Sequence, residues 1–343
     1  MNFEKFATYR EIKSQTEAWA QALNIASTSQ LPMARDYDQV IFTGCGSTYY
    51  LSLAAAALYQ ELIGSAARAI PGGELLLNPQ TVVGRIVRPT YKTLLVAISR
   101  SGTTTETIKA VEKFKADDRG DVVVISNYDE ALVQLSDTKI VIDKGQEESV
   151  AQTRSFASMY VASTAFCARM AKRNDLLDSM STLPEIGKHL LRDFEPAAHQ
   201  MGENLDFDRF YFLGSGIRYG LACEVNLKMK EMTLTHSEPF HFLEFRHGPM
   251  SMVNEKAVVV GLVSESSYNH EKAVLYEMQA LGGKTVALGE SGVDIAFKSG
   301  IPESVRGVLY LPVLQLMAFY RSLAKGMNPD RPNNLSAVVK LDL

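Results

Sequence analysis

The stretch Leu94–Ala110 joins a short apolar run to a polar turn and a helical pattern, and it constrains the fold more than any other part of the sequence. Leu94–Ile98 is continuously apolar, as a strand buried on both faces of a parallel sheet is. After the turn, the pattern predicts a helix from Glu106 to about Phe114. The stretch therefore predicts a strand, a turn and a helix of an α/β fold.

The turn between this strand and helix is rich in groups that bind anions. It consists of Ser99, Arg100, Ser101, Gly102, Thr103, Thr104 and Thr105. Hydroxyls and backbone N–H groups at a helix N-terminus bind phosphate, and a glycine lets the backbone approach an oxyanion closely. A helix cap would account for only one or two of these hydroxyls. We interpret the turn as a phosphate-binding site, although its spacing fits neither a Walker loop nor the dinucleotide fingerprint.

Composition limits the class of protein. The 343 residues, with 46% hydrophobic and 22% charged residues, are typical of about two soluble domains. A net charge of −4 and the lack of a Lys/Arg-rich stripe argue against a nucleic-acid partner. The longest apolar runs, such as Ala257–Val263, are too short to span a membrane, and the N-terminus lacks the apolar core of a secretory signal.

Cysteine and histidine usage indicates the compartment and the cofactors. Cys45, Cys167 and Cys223 are odd in number and widely spaced, which is typical of a reducing cytoplasm. No His or Cys cluster has the spacing of metal ligands. We therefore expect a cytoplasmic protein with no metal and no cofactor.

Short strands alternate with helices along the chain. The predicted strands are Gln39–Thr43, Ala67–Ile70, Thr93–Ile98, Asp121–Ser126, Lys139–Asp143, Arg209–Leu213, Val258–Val263 and Lys284–Leu288. The predicted helices include Phe3–Leu23, Tyr49–Leu62, Asp129–Leu135, one that ends near Met170, and Arg218–Leu234, and Val308–Lys325 is predicted to hold a strand and a closing helix. This alternation predicts an α/β fold with parallel sheets and helices on both faces.

The pattern occurs twice. IFTGCGST, which begins at Ile41, matches FYFLGSGI, which begins at Phe210, and this match predicts a duplication at the scale of a domain. We divide the chain into an N-terminal helical segment (1–35), a first domain (36–171), a helical connection (172–205), a second domain (206–327) and a C-terminal tail (328–343). Polar turns follow predicted strands at Gly44–Thr48, Ser99–Thr105 and Gln146–Ser155, so we expect them to converge on one pocket.

Charged side chains recur on one face of the predicted helix Arg218–Leu234. Glu224, Lys228 and Glu231 are spaced i, i+4 and i+7. They form either a solvated ladder of ion pairs or a partly buried set in which a carboxylate serves as a general base. The helix alone leaves both interpretations open.

The stretch Glu238–Pro249 is the next unusual feature. His247 precedes a Gly-Pro break, so it is either a proton-transfer group at a loop edge or a histidine that caps a helix. His241 is interpreted as a packing or surface residue.

Five motifs together resemble the sugar isomerase (SIS) family. They are Gly44–Tyr49, Ser99–Thr104, Glu147–Phe156, Glu224-x3-Lys228-x2-Glu231 and His247-Gly248-Pro249. More closely, these motifs resemble the isomerase half of glucosamine-6-phosphate synthase and its stand-alone relatives, and the resemblance extends from about Tyr9 to the tail. The resemblance implies two doubly wound parallel-sheet (SIS, flavodoxin-like) domains in a homodimer with sites near the subunit interface.

The resemblance also implies roles for individual residues. Ser99, Arg100, Ser101, Thr104 and Thr48 match residues that hold a sugar 6-phosphate, and the further candidate substrate-binding residues are Cys45, Gly46, Ser47, Gly102, Thr103, Val150, Gln152 and Ser336. Glu231 matches the carboxylate that moves a proton between C1 and C2, and Glu224 and Lys228 match its charged supports. His247 matches the ring-opening histidine, which the neighbouring subunit contributes in the synthase.

Two departures from the synthase pattern point away from synthesis. This chain begins at Met1 without a glutaminase domain, so we expect no ammonia from glutamine. Ala337 stands where the synthase has a Schiff-base lysine, and alanine cannot form such a base; Lys340 lies three residues further on. Gln152 also replaces a serine in the sugar pocket.

These features lead to a functional prediction. We expect an aminosugar-6-phosphate deaminase and isomerase, which binds a sugar phosphate and neither nucleic acid nor membrane. The alternatives are a fructosamine-6-phosphate deglycase and a simple aldose–ketose isomerase. A phosphosugar sensor without catalysis is a further alternative, which the acidic chain and the short segment before the first strand disfavour.

Overall fold

The computed structural model describes residues 2–84, 91–339 and 341 of the chain. In these ranges the chain forms two parallel sheets of five strands each, flanked by helices. The α/β fold with two parallel-sheet domains is therefore confirmed.

The strands and helices follow one another in the predicted alternation. The strands are β1 (Gln39–Gly44), β2 (Ala67–Pro71), β3 (Thr93–Ser99), β4 (Val122–Ser126), β5 (Thr138–Val141), β6 (Arg209–Leu213), β7 (His236–Phe240), β8 (Ala257–Leu262), β9 (Lys284–Gly289) and β10 (Ile295–Ala296). The helices are α1 (Ala7–Thr28), α2 (Ser47–Ile63), α3 (Gly72–Leu77), α4 (Pro79–Val82), α5 (Thr105–Ala116), α6 (Arg154–Met170), α7 (Asn174–Met180), α8 (Leu183–Asp193), α9 (Glu195–Glu203), α10 (Ile217–Thr233), α11 (Tyr268–Ala280) and α12 (Leu311–Ala324).

The chain divides into two compact units. The first-sheet unit consists of Glu17–Glu147, Arg154–Ser181 and Ser336–Leu343. The second-sheet unit consists of Met1–Thr16, Glu148–Thr153 and Thr182–Leu335. The boundaries that we drew from the sequence remain a prediction.

Both sheets have the same strand order. The first sheet runs β2-β1-β3-β4-β5, and the second runs β7-β6-β8-β9-β10. In each sheet the second strand in the chain lies on one side of the first strand, and the third lies on its other side. The strand order therefore reverses beside the first strand. The central strands β3 and β8 are buried along their whole length, as their apolar sequences predict. The polar turns after β1 and β3 therefore lie at adjacent strand ends.

The N-terminal helix differs from the prediction. A 3₁₀ helix, Phe3–Lys5, precedes α1, which extends to Thr28. The side chain of Asp330 caps α1, because its carboxylate accepts hydrogen bonds from Ala7 N at 3.0 Å and from Thr8 N at 2.8 Å. A cap from so distant a residue is invisible to local sequence patterns.

Two other predicted elements are wrong. The helix predicted over Asp129–Leu135 is only a 3₁₀ turn at Val133–Leu135. The segment Val308–Lys325, which the structure describes in full, holds no strand: a 3₁₀ helix, Gly307–Tyr310, leads directly into α12. Its continuous apolar run fits a buried strand and a buried helix equally well, so periodicity cannot separate them.

We expected no apolar stretch long enough to span a membrane, and this segment corrects that expectation. Among the described residues, Gly307–Ala324 is long and apolar enough to cross a membrane, but it is almost wholly buried inside the protein.

Strand β7 was missed because its sequence, HSEPF, is polar and contains Pro239. It lies at the edge of the second sheet, where a proline is tolerated.

Candidate active site

Residues Ser99–Thr104 form a tight turn at the end of β3, which we call the first cradle. Ser99 Oγ accepts a hydrogen bond from Gly102 N at 3.1 Å, and Ser101 Oγ accepts one from Thr103 N at 3.2 Å. Gly102 has a φ of 66°, a conformation that glycine adopts without strain. The turn is therefore built largely by its own hydroxyls.

Some hydroxyls of the first cradle are buried, and others are accessible. Ser99 is buried, whereas Ser101, Thr103 and Thr104 are partly exposed. The N-cap residue Thr104 makes no side-chain capping bond to α5. The first N–H groups of a helix have no partner within it and carry partial positive charge. The accessible face of the cradle thus presents hydroxyls at a helix N-terminus, which suits an anion.

The turn after β1 is closed in a similar way. Thr48 Oγ1 accepts a hydrogen bond from Cys45 N at 2.9 Å and donates one to Cys45 O at 3.0 Å. Gly46 has a φ of 59° and caps α2, so Ser47 and Thr48 lie in the helix and not in the turn as predicted. A Cβ on Gly44 would lie 2.5 Å from Thr48 Oγ1, so only glycine fits there.

Cys45, in the turn after β1, contacts the helix that follows the first cradle. Its Sγ lies 3.5 Å from Thr107 Oγ1 in the first turn of α5. A Cβ on Gly72, at the start of α3, would lie 2.9 Å from the same sulfur. Burial raises the pKa of the Cys45 thiol, and the nearby Glu106 carboxylate adds to this effect. Cys45 is therefore protonated at neutral pH and suits packing or hydrogen bonding better than nucleophilic attack.

The side chain of Arg100 connects the cradle to two other segments of the same unit. Its Nη1 lies 3.7 Å from Glu147 Oε2, after β5, and its Nη2 donates a hydrogen bond of 2.6 Å to the backbone oxygen of Ala337. Glu147 is fully buried and accepts a hydrogen bond from Ser155 N at 3.0 Å. Members of two of the predicted turns, Ser99–Thr105 and Gln146–Ser155, thus lie together in the first-sheet unit.

The C-terminal tail lies beside the cradle. Leu341 N donates a hydrogen bond of 3.2 Å to Thr105 Oγ1, in addition to the Arg100 contact with Ala337. Ser336 is exposed, and its hydroxyl donates to Val338 O at 3.1 Å. Lys340 lies outside the described residues. A tail that folds back over a site from so far along the chain has no signal in the sequence.

Two candidate sugar-lining residues belong to the second-sheet unit. Val150 N donates a hydrogen bond of 3.0 Å to Asp330 O, and Gln152 is partly buried. The loop that carries them is held by Glu11, whose carboxylate accepts hydrogen bonds from Glu148 N at 2.6 Å and from the Ser149 hydroxyl. Sequence analysis missed Glu11, because a carboxylate in a helix is usually solvated.

The charged face of α10 is mostly buried. Lys228 Nζ lies 3.4 Å from Glu224 Oε1 and donates a hydrogen bond to Glu231 Oε2. The side chains of Lys228 and Glu224 are each 1% exposed, whereas that of Glu231 is 20% exposed. The interpretation as a solvated ladder is therefore wrong. Glu231 is the accessible member of a buried carboxylate–lysine–carboxylate set.

His247 is exposed at the predicted break. It follows a 3₁₀ helix, Glu244–Arg246, and its backbone N–H donates to Glu244 O at 2.9 Å. The next residue, Gly248, has a φ of 121°, which ends the turn. His241 stacks on Tyr219 with a centroid distance of 3.9 Å, and burial lowers the pKa of its imidazole. His241 is therefore an exposed residue that packs on an aromatic ring, which agrees with its interpretation as a packing or surface residue.

No metal centre is evident in the part of the chain that the structure describes. Within it, no three His, Cys, Asp or Glu side chains lie close enough together to hold an ion. The three cysteines, all described, are free thiols. The first cradle presents hydroxyls at a helix N-terminus, which suit an anion, and Glu231 presents an accessible carboxylate.

Comparison with known families places this geometry in context. The model of the SIS domain matches residues 33–169 and 206–299, which together make up about two thirds of the chain. Each match contains one of the two parallel sheets described above. Both the cradle and the carboxylate–lysine–carboxylate set lie within the matched ranges.

Individual relatives agree with this match. The chain is 26% identical to the glutamine–fructose-6-phosphate aminotransferase (isomerizing) of Pyrococcus horikoshii, over 97% of this chain and 57% of that protein. The chain spans about half the length of the curated relatives that it matches. The crystal structure of glucosamine-6-phosphate deaminase from Thermotoga maritima is similar with a TM-score of 0.80 and 25% identity, over 98% of this chain and 100% of that one.

A further solved structure shares the fold. A putative tagatose-6-phosphate ketose/aldose isomerase from Clostridium novyi superimposes with a TM-score of 0.86 at 21% identity, over 98% of this chain and 94% of that one. At this level of identity the similarity concerns the fold alone.

Proposed function

Because the chain belongs to the SIS domain family, we propose that it is a phosphosugar isomerase that acts as an aminosugar-6-phosphate deaminase. It would convert glucosamine 6-phosphate to fructose 6-phosphate and ammonia. The observation that carries the proposal is the buried set on α10, in which only Glu231 is accessible. A carboxylate held beside a buried ammonium, with an edge open to solvent, is suited to moving a proton.

The first cradle supports a phosphorylated substrate. Its accessible hydroxyls, Ser101, Thr103 and Thr104, lie at the N-terminus of α5, and the buried Arg100 adds a positive charge to the turn. We propose that these groups bind the phosphate of the sugar, together with Gly46 on the neighbouring turn and Ser47 at the start of α2. Ser99 and Thr48 act indirectly, because their hydroxyls close the two turns.

The proposed reaction is a proton transfer followed by hydrolysis. With the pyranose ring opened with the help of His247, Glu231 removes the proton from C2 and delivers it to C1. The 2-amino aldose thereby becomes an imine of the ketose, and water then replaces the amine and releases ammonia. The C2 proton is acidic because the neighbouring C1 carbonyl stabilises the negative charge that develops. Lys228, itself beside Glu224, holds the Glu231 carboxylate in position.

Two observations favour deamination over synthesis. The residue at the position of the Schiff-base lysine is Ala337, whose backbone oxygen accepts a hydrogen bond from Arg100. The similarity to the Thermotoga maritima deaminase covers nearly all of both chains. Simple aldose–ketose isomerisation remains the second candidate, because it needs the same proton transfer and no amine.

The test is ammonia release from purified protein. Wild-type enzyme given glucosamine 6-phosphate should produce ammonia and fructose 6-phosphate in equal amounts. Glu231→Gln removes the base and keeps the shape, so we expect a loss of at least about 100-fold in kcat with little change in KM. Glu255→Gln, at an exposed loop position, is the matched control and should retain wild-type rates.

The outcomes separate the candidates. Interconversion of aldose and ketose phosphates without ammonia would support simple isomerisation. Release of an amino acid from a fructosamine 6-phosphate would support the deglycase. Activity that survives in Glu231→Gln would refute the assignment of the base.

We also propose that the protein is a homodimer. The segment that holds His247 exposes two large apolar side chains, Leu243 and Met252, which suit burial against another subunit. Light scattering of the purified protein tests this proposal, and a monomer at micromolar concentration would contradict it.

A further inference from the structure

In the turn after β8, consecutive backbone N–H groups donate hydrogen bonds to carboxylates and to a hydroxyl. We call Ser264–Ser267 the second cradle. Its N–H groups donate as follows: Ser264 N to Glu271 Oε2 at 2.6 Å, Glu265 N and Ser266 N to Glu303 Oε2 at 3.2 and 3.1 Å, and Ser267 N to Ser264 Oγ at 2.9 Å. Four consecutive N–H groups thus donate to side-chain oxygens, and two of them donate to one carboxylate oxygen.

The other oxygen of Glu303 is also bound by donors. Its Oε1 accepts hydrogen bonds from Arg218 Nη1 and from Ser266 Oγ, the latter at 3.4 Å. Arg218 is nine-tenths buried, and within the described residues its Nε has no hydrogen-bond acceptor. Two backbone N–H groups, a hydroxyl and a guanidinium form a donor set suited to a phosphate.

The two cradles occupy the same place in their sheets. Each follows the strand beside the point where the order reverses, and each leads into a helix. In both, a serine Oγ accepts from the N–H three residues later: Ser99 from Gly102, and Ser264 from Ser267. The preceding turns also agree, because Gly46 has φ 59° and ψ −124° and Gly216 has φ 57° and ψ −128°.

Residues 298–306 form a segment, which we call the strap, that places Glu303 against the second cradle. The carboxylate of Glu290 anchors the strap, since it accepts hydrogen bonds from Ser299 Oγ and Gly300 N, both at 2.7 Å. Arg306 fixes the other end, because its Nη1 donates to Ile301 O at 2.9 Å and its Nη2 lies 2.7 Å from Glu265 Oε2. The position of Glu303 is therefore built into the fold.

We propose that the second cradle is a binding site for a tetrahedral oxyanion of the phosphate class, which the carboxylate of Glu303 fills in this protein. The chain therefore binds phosphate at one cradle instead of two, and removal of this carboxylate opens the second cradle to phosphate. A cleft of about 290 Å³, lined by residues that include Ser264, Glu265 and Gly289, opens beside the cradle and gives an anion access.

The charges around the site support this assignment. Arg218 faces Glu303 and Glu271, whereas Arg306 faces Glu265 and Glu290. Without Glu303, the N–H groups of Glu265 and Ser266 lose their acceptor, and the guanidinium of Arg218 loses one carboxylate and keeps that of Glu271 at 3.4 Å. Buried donors without an acceptor are costly, so the opened cradle attracts a small anion.

The experiment compares phosphate binding by wild-type protein, Glu303→Ala and the surface control Glu255→Ala. Calorimetric titration with inorganic phosphate should show one more phosphate per chain in Glu303→Ala than in the other two proteins. The melting temperature of Glu303→Ala should fall in chloride and recover in phosphate at equal ionic strength, because a ligand that binds only the folded state stabilises it. The difference from wild type removes any contribution of the first cradle.

Glu303→Gln is a second variant, which tests the proposal if Glu303→Ala does not fold. Its amide oxygen still accepts from the backbone, but Arg218 loses the negative charge of Glu303 and keeps only that of Glu271 among these two carboxylates, so phosphate should stabilise this variant more than wild type. A folded Glu303→Ala or Glu303→Gln with the wild-type phosphate stoichiometry and melting response would overturn the proposal. An equal gain in Glu255→Ala would overturn it too, because the effect would then be one of net charge.

Discussion

The guanidinium of Arg100 donates a hydrogen bond of 2.6 Å to the backbone oxygen of Ala337, and so it holds the C-terminal tail against the first cradle. The same guanidinium lies 3.7 Å from the fully buried carboxylate of Glu147. Arg100 thus links three segments of one unit, with the Glu147 carboxylate as a counter-ion. A phosphate in the cradle would give it a further negative partner.

Replacement of Arg100 should weaken phosphate binding and release the tail. For Arg100→Ala we expect KM for glucosamine 6-phosphate to rise about 10- to 100-fold, as loss of a charge-assisted hydrogen bond of about 1.5–3 kcal/mol implies. Limited proteolysis should also cleave the tail faster. Arg68→Ala, an exposed position in the same unit, should change neither quantity. A normal KM with a released tail would show that Arg100 only anchors the tail.

Removal of the buried ammonium on α10 should destabilise the protein. Lys228→Met removes the ammonium that lies 3.4 Å from the carboxylate of Glu224, a side chain that is 1% exposed. Breaking one partner of a buried ion pair costs about 3–5 kcal/mol, and urea unfolding should show a loss of that size. Lys230→Met, two residues away on the exposed side of the same helix, is the matched control. Equal stabilities for the two variants would mean that the buried set contributes little.

The thiol of Cys45 should react slowly at neutral pH. Because burial raises its pKa, its alkylation by iodoacetamide should increase about tenfold per pH unit up to and beyond pH 8.5, the usual range for a thiol. Cys45→Ser should abolish this reaction, since Cys167 and Cys223 are buried. A sugar phosphate should slow it, because Cys45 lies next to the first cradle. A plateau in the rate below pH 8 would contradict the raised pKa.

The carboxylate of Glu195 should make stability depend on pH. It accepts hydrogen bonds from Tyr9 at 2.7 Å, Lys13 at 2.7 Å and Tyr320 at 2.5 Å. Burial alone would raise its pKa, but these three donors outweigh burial and lower it. A lowered folded-state pKa stabilises the fold above the ordinary glutamate value of about 4.3, and this stabilisation is lost as the pH falls toward the folded-state pKa.

Glu195→Gln tests this dependence. Its free energy of unfolding should be about 1–3 kcal/mol below that of wild type at pH 7, because a charged acceptor of three hydrogen bonds is lost. The difference should shrink below about pH 4. Glu203→Gln, an exposed residue at the end of the same helix α9, should stay within about 0.5 kcal/mol of wild type. A difference that persists unchanged at pH 3 would rule out ionisation as its source.

Local sequence patterns predicted most of the sheet strands. Buried strands such as β3 and β8 are continuous apolar runs between polar turns, and this pattern depends only on neighbours in the chain. The edge strand β7 was missed, because pairing with β6 outweighs its unfavourable sequence. The apolar run before α12 was assigned to a strand, because burial on all sides removes the periodicity that distinguishes a helix.

Some features of the candidate site could be predicted from the sequence and others could not, for a similar reason. The hydroxyls of the first cradle and the spacing of Glu224, Lys228 and Glu231 are visible in short stretches of sequence. Whether Lys228 is buried depends on what packs against α10, so the sequence left that question open. Glu303 gave no signal, since its partners at Arg218 and Ser266 are far away in the chain.

The sequence by itself determined the α/β class, the strand, turn and helix that form the first cradle, and the charged face of α10, because each follows from interactions between near neighbours in the chain. Only the tertiary structure decided which of these groups is accessible. Burial, and contacts between residues far apart in the chain, close the second cradle with Glu303, hold the tail on Arg100 and leave Glu231 as the accessible carboxylate.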